Sequence, residues 1–451
     1  MKSFVRSFLP LTLLTLCSAK PPADLQARLD AFAQDQPGGV AIAWVDADGP
    51  AFFTAGKYST SDPRPITPDT LFEIGSVSKV FTALLLAESE RLGKVSRSDP
   101  AAKYLLPATD PAQPALAKIT LVSLATHSSG LPRLPANLGP NPDANPYASY
   151  DRAALVEGLR AEGPGAPSGQ GTAYSNFGVS VLGEALGAAW NTSYTEALQT
   201  HVLAPLSLKA TSVGLSGEPP PADLAPAHRQ GHIVPNWTWN ACAAAGGLRS
   251  SARDMAAFLT QCIGKIDTQP ISGSIDATLQ SQRSDDKIGG HIALGWMLTD
   301  DPKHPLAWHN GATRGSHSLI AFDRKSGQGI VILVNNDKAA DELGFSLLGA
   351  KSRRPAIPVV KDATRYIGRY PLTSSFAIDV TESSGALFIQ ATGQGRLRLR
   401  EIEADHFKVM GVPAEISFDR DVSGKITALV LHQNGRDQRG PRQDLPPPPK
   451  E

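Results

Sequence analysis

Residues 71–93 read LFEIGSVSKVFTALLLAESERLG, and this stretch decides how the rest of the chain is read. From about Ser76 to Leu92 the apolar residues Val77, Val80, Phe81, Leu84, Leu85, Leu86 and Leu92 leave almost no polar face. A helix that is apolar all round is a buried one, and Gly93 stands where a helix C-cap belongs. Phe72-Glu73-Ile74-Gly75 leads in as a strand-like turn. At the start of the helix, Ser76 and Lys79 share one helical face. Burial penalises the charged form of a lysine, which gives Lys79 the character of a base for the Ser76 hydroxyl. The first helical turn also presents free backbone N–H groups and the positive end of the helix dipole to a developing oxyanion. Ser78 points elsewhere on the helix and is the weaker nucleophile. By itself a Ser-x-x-Lys spacing equally suits an N-cap serine and a lysine reaching water; the apolar surroundings favour the chemical reading.

Upstream, residues 40–45 form an apolar run, 46–49 (Asp-Ala-Asp-Gly) carry turn chemistry and 51–54 resume with Phe52 and Phe53, the pattern of a hairpin. Downstream, helical stretches at 179–189, 194–202 and 252–262 alternate with Pro/Gly-rich loops such as 131–145 and 163–171. Strand character returns at 318–322 and 330–335, around a turn at 323–327. Hairpins at both ends and helices between them predict an α/β unit over residues 23–350. In it one antiparallel β-sheet is made from both ends, with flanking helices and a mostly helical insertion. A basic, Pro-containing linker at 351–362 follows. Beyond it, short alternating runs separated by glycines predict a small all-β, barrel-like accessory domain at 363–440, and residues 441–451 are a Pro-rich tail.

The chain has 451 residues, more than one core usually spans, and its 43 Lys or Arg balance 43 Asp or Glu. A neutral chain has no bulk attraction to nucleic acid or to an anionic membrane surface. Residues 1–19 read as an export signal: Lys2 and Arg6, an apolar core at 8–16 too short to span a membrane, and the small-residue site Cys17-Ser18-Ala19. The mature protein is then periplasmic or secreted, where disulfides persist, and Cys242 and Cys262 either form a bridge or stay as two buried thiols. Neither CxxC nor HExxH occurs, so no spacing supports a metal site. A Gly-x-Ser-x-Gly elbow and a phosphate-binding Gly-Lys-Ser/Thr loop are also lacking.

Further along, Tyr174-Ser175-Asn176 precedes Phe177-Gly178-Val179 at the start of a helix. Around it lie ITLVSLATHSSGLP (119–132), Ala204-Pro205-Leu206 and Ala245-Gly246-Gly247-Leu248. In this order the chain resembles the serine β-lactamase and penicillin-binding-protein superfamily, particularly its class C-like branch, which also holds D-amino-acid peptidases and esterases. Ser76 and Lys79 match that family's first motif, and Tyr174 and Asn176 its Tyr-x-Asn. The third motif, Lys-Thr-Gly in lactamases, stands here as His309-Asn310-Gly311 before Ala312; some peptidase and esterase relatives carry His there.

The resemblance implies an acyl-serine mechanism. Ser76 attacks a carbonyl, and Lys79 with the Tyr174 phenol takes its proton and passes it to the leaving group. The backbone N–H groups of Ser76 and Ala312 form the oxyanion hole, Gly311 adjoins it, Asn176 binds a substrate amide, and His309 faces the substrate or the Tyr174 oxygen. No metal or cofactor is required. The expected partner is a small-molecule or peptide-like substrate. β-Lactam hydrolysis is the first expectation, with D-amino-acid peptidase, carboxypeptidase or short-chain esterase activity as alternatives. Outside hydrolysis, a penicillin-binding sensor acylated without turnover, or a ligand-carrying module, stays open. A motif lysine helps hold a substrate carboxylate, whereas a neutral His309 supplies no full charge. His127, His228, His232 and His317 lack ligand spacing and are read as structural or surface residues. The C-terminal stretch from Tyr366-Ile367-Gly368-Arg369-Tyr370 onward resembles a lipocalin-like module fused to such hydrolases, a packing or folding accessory.

Overall fold

The run at 40–45 is apolar without alternation because its strand, Gly39–Asp46, is covered on both faces. Val40, Ile42 and Trp44 point into one core with Leu319, Ile330 and Ile332; Ala41, Ala43 and Val45 point into the other with Ile320, Phe322 and Val331. A computed structural model describes residues 20–138, 145–163, 165–166, 168–169, 171–264, 270–285, 290–350, 360, 362–374, 376–383, 386–392, 396–409, 414–433 and 436–443. The expected signal segment at 1–19, nearly all of the linker and residues 444–451 of the tail lie outside them. The chain divides between Ser352 and Arg353 into two compact units.

In the first unit an eight-stranded antiparallel sheet is built from both ends of the sequence. Gly39–Asp46 lies between its hairpin partner Gly49–Gly56 and Gln328–Val334, with Val40 opposite Val334 and Trp44 opposite Ile330. His317–Asp323, Ala307–Ala312 and the short strands Met297–Thr299, Gly290–Ile292 and Arg283–Asp285 complete it. Helices Leu25–Ala33 and Asp341–Leu347 contribute Leu25, Leu29 and Phe345 to one core. Ser78–Arg91 and Ala252–Ile263 contribute Phe81 and Phe258 to the other, along with the helical insertion.

Every residue from Ser78 to Ser89 is buried, as a helix with no polar face requires. Its end is a Schellman cap: Gly93, at φ +71°, donates to the Glu90 carbonyl and Lys94 to that of Ser89. The helix starts two residues later than the sequence suggested, after a 3-10 turn at Gly75–Val77. The insertion helix Asn176–Ala189 starts earlier than expected. Its N-cap is Ser175, whose Oγ accepts from the Gly178 N–H at 2.7 Å.

Cys242 and Cys262 are both free and buried, which is the second of the two states considered and not the bridge. They belong to different surroundings. Cys242 caps the short helix Ala243–Gly246 and bonds to Ser180, while the Cys262 carbonyl takes the Arg324 guanidinium at the end of Ala252–Ile263.

The second unit is an eight-stranded antiparallel meander from Gly368–Pro371 to Arg436–Pro441, each strand paired with the next. Arg369 and Gln443 exchange backbone hydrogen bonds of 2.9 and 2.7 Å, which brings the first strand to the last and nearly closes a barrel. Tyr366, Tyr370, Phe407 and Phe418 fill its interior.

Candidate active site

Ser76 is positioned by three local contacts. Strand Leu71–Glu73 pairs with Leu248–Ser251, and the Ile74 N–H continues the pairing to the Leu248 carbonyl at 3.0 Å. The Ile74 carbonyl accepts from Ser318 Oγ at 2.7 Å. Gly75 has φ +49°, and a Cβ there would lie 2.7 Å from the Ala312 nitrogen, so glycine is what lets this turn meet the Ala307–Ala312 strand. The 3-10 turn at Gly75–Val77 runs directly into the helix Ser78–Arg91, which leaves Lys79 one turn along from Ser76. Lys79 Nζ lies 3.1 Å from Ser76 Oγ and 2.5 Å from the Ala245 carbonyl oxygen.

Lys79 is 2% exposed. Burial holds its amine well below the ordinary 10.5, and the nearby Arg133 charge pushes in the same direction. A neutral amine donates an N–H to Ala245 and keeps its lone pair for the Ser76 proton. Ser78 is occupied otherwise: its Oγ accepts from the Leu248 N–H at 3.0 Å.

Tyr174 is held by the residue after it. The Ser175 N–H donates to His127 Nδ1 at 3.2 Å, and Ser175 Oγ donates to the Pro132 carbonyl at 2.6 Å. The phenol hydrogen-bonds Ser76, and burial pushes its pKa up to about 12, so it is protonated at neutral pH. Its ring centre lies 4.3 Å from that of His127, 4.9 Å from Lys79 Nζ and 6.4 Å from the His309 ring. Arg133 Cζ lies 5.3 Å from the same ring centre.

His309 is 2% exposed and its Nδ1 lies 2.6 Å from the Asn310 carbonyl, so Nδ1 carries the proton and Nε2 keeps a lone pair. Burial pushes its pKa down to about 3, and Lys79 opposes its protonation further whenever that amine carries a proton. It is therefore a neutral imidazole at neutral pH. His127 is likewise held well below its ordinary value by burial, and then by Lys79, His309 and Arg133.

The Ala312 N–H is free to act as a donor. Thr313 donates to the Ser316 carbonyl, and ladder alternation makes the next pair, Ala312 with His317, a non-bonded one whose N–H points away from the neighbouring strand. On that outer side, Met297–Thr299 pairs only as far as Trp308. A Cβ on Gly311 would collide with the Ile74 carbonyl oxygen and Ser318 Oγ. Gly311→Ala is therefore expected to push the strand off Gly75 and lower kcat by about a hundredfold, the scale of one lost oxyanion donor. A kcat within about twofold of wild type would mean that this N–H is not needed.

Asn176 starts its helix next to these groups, with its Oδ1 buried and without a hydrogen-bond partner. A buried acceptor left unpaired costs stability. Sequence reasoning missed two residues. His127, read as structural or surface, is buried against Tyr174, with its backbone at φ +57°; no local sequence pattern marks that placement. Glu73 bridges two loops, accepting from the Trp237 N–H at 2.6 Å and Thr313 Oγ1 at 2.8 Å, with its carboxyl pushed up by burial. His228 is structural, its Nδ1 lying 2.8 Å from the Asn335 carbonyl.

An antiparallel sheet backed by helices, with a Ser, a Lys and a Tyr gathered where the two meet, defines the active-serine class that includes β-lactamases and penicillin-binding proteins. The family described as Beta-lactamase matches residues 25–346, and the chain belongs to it. Residues 352–442 match a "Domain of unknown function (DUF3471)". A β-lactamase of Escherichia coli (strain K12) is 28% identical over 66% of this chain and 84% of its own length. Penicillin-binding protein 4* of Bacillus subtilis (strain 168) is 23% identical over 86% of this chain and 91% of its own. In fold the chain is similar to a class C β-lactamase from Rhodobacter sphaeroides, at a TM-score of 0.60 and 24% identity, over 70% of this chain and 95% of that one. It is also similar to SurE, at 0.62 and 22%, over 93% and 98%.

Proposed function

We propose that this protein is a serine hydrolase that works through an acyl-Ser76 intermediate. The observation that carries the reading is Lys79 Nζ at 3.1 Å from Ser76 Oγ, in buried surroundings that disfavour the charged amine. Lys79 and Tyr174 have pKa values pushed apart, the pattern of a base and an acid working together. Lys79 takes the Ser76 proton as Oγ attacks. The Ser76 and Ala312 N–H groups hold the oxyanion, Tyr174 protonates the leaving group, and Asn176 accepts from a substrate amide. Water then cleaves the acyl-enzyme. Residues 1–19 support export, and no described helix is long and apolar enough to cross a membrane.

The relatives support a β-lactam as substrate. His309 supports a second reading, a D-amino-acyl amide or an ester, because a neutral imidazole cannot pair with the carboxylate of a lactam. The test is a panel of a chromogenic cephalosporin, D-amino-acyl nitroanilides and nitrophenyl esters, with mass spectrometry of the quenched protein. We expect steady turnover of an ester or nitroanilide and a transient acyl mass on the Ser76 peptide. A stable one-to-one penicillin adduct without turnover would instead establish a sensor. Turnover with no adduct on Ser76 would sink the acyl-serine mechanism.

A further inference from the structure

Beside Tyr174 lies a cavity of about 310 Å³. Tyr174, His127 and His309 make its polar end; Ile292, Trp296 and Met297 make an apolar wall. The wall is fixed in place. Gly295, at φ +72°, lies so close to the nucleophile helix that a Cβ would come within 2.8 Å of the Lys79 carbonyl oxygen and of Ala83 Cβ. Trp296 Nε1 donates to Thr278 Oγ1 at 3.2 Å, and its ring stands edge-on to Phe322 at 5.3 Å. Among the described residues, no Asp, Glu, Lys or Arg lines the cavity.

We infer that this cavity receives the leaving group, and that it selects an uncharged, largely apolar alcohol or amine. The inference rests on the acyl-Ser76 reading, because the acid that protonates a leaving group must face it, and Tyr174 lines the cavity. Its volume is about twice that of the ~150 Å³ apolar cavity that accommodates benzene, enough for a ring and a short linker. A carboxylate placed here loses its water and meets no cation among the described residues of the lining. Burial holds both histidines in their neutral forms, so neither supplies the missing charge. In the step itself, Ser76 Oγ bonds to the acyl carbon and the bond from that carbon to the leaving oxygen breaks. The Ser76 proton moves to Lys79, Tyr174 gives its proton to the leaving oxygen, and Lys79 reprotonates Tyr174. Water then splits the acyl ester to acid and free Ser76.

The test is a series of phenylacetyl esters that share one acyl group and differ in the leaving alcohol: methanol, butanol, benzyl alcohol, and glycolic acid with its free carboxylate. Expected is a kcat/KM for the benzyl ester about ten- to a hundredfold above the methyl ester, the range set by burying a side-chain-sized apolar group. The glycolate ester should fall below the methyl ester. Met297→Trp, which narrows the cavity, should reduce the benzyl-to-methyl ratio by about fivefold or more, and Met297→Ala should extend the preference to a naphthylmethyl ester. A flat series, or faster turnover of the glycolate ester, with acyl-Ser76 still forming, overturns the cavity assignment alone. If no ester in the series is turned over and no Ser76 adduct forms, both the hydrolase reading and the pocket fall together.

Discussion

Replacing Ser76 by alanine is expected to lower kcat/KM by about ten-thousandfold or more, leaving only what the oxyanion donors and substrate binding supply. The loss is chemical, not structural. The described hydrogen bonds of the Ser76 hydroxyl go to Lys79 and Tyr174, both members of the same site. Ser78→Ala is the contrast. Its Oγ accepts the buried Leu248 N–H, so its loss should cost stability on the order of 1–3 kcal/mol while acylation at Ser76 persists. Kinetics and thermal unfolding of the two variants separate a nucleophile from a strut. Equal turnover in the Ser76→Ala protein and the wild type would remove Ser76 from the mechanism.

The central sheet was legible because buried strands of seven or eight residues leave a long apolar trace, as at Gly39–Asp46 and His317–Asp323. The strands Arg283–Asp285, Gly290–Ile292 and Met297–Thr299 left none, since three residues hold no alternation to count. The Ser76–Lys79 pair could be read because both residues sit on one continuous turn of chain. What surrounds the pair could not. The cavity draws Ala125 from the end of the helix Leu121–Ala125 and His127 from the turn after it, Tyr174 from a loop, Trp296 from another and His309 from a strand, and no local pattern joins them. His309 was visible as a departure from Lys-Thr-Gly. That burial keeps it neutral, and so removes the cation altogether, depends on packing that a sequence does not display. The free cysteines are the same kind of case: both are buried, and only their separate surroundings decide against a bridge.

Lys79→Met is expected to reduce kcat by about a thousandfold, within the range of a lost general base, while keeping most of the side-chain volume. The same variant tests whether the amine is neutral. The folded pKa of Lys79 lies well below the ordinary 10.5, so between those two values the unfolded chain holds a proton that the folded protein lacks. Stability contributed by this group therefore rises with pH across that window and is lost as pH falls, with a slope of up to about 1.4 kcal/mol per pH unit. Below the folded pKa both states are protonated and the slope vanishes. In the Met variant the slope should disappear throughout the window, which denaturant unfolding at a series of pH values measures against wild type. The acid limb of the rate profile follows from the same proton. Activity falls as the pH drops through the folded pKa, because an ammonium has no lone pair for the Ser76 hydroxyl, and Arg133 opposes protonation from outside. A variant that kept both its turnover and the wild-type slope would show Lys79 to be charged in the folded protein, and the base would have to be sought elsewhere, with the His309 lone pair a remaining candidate.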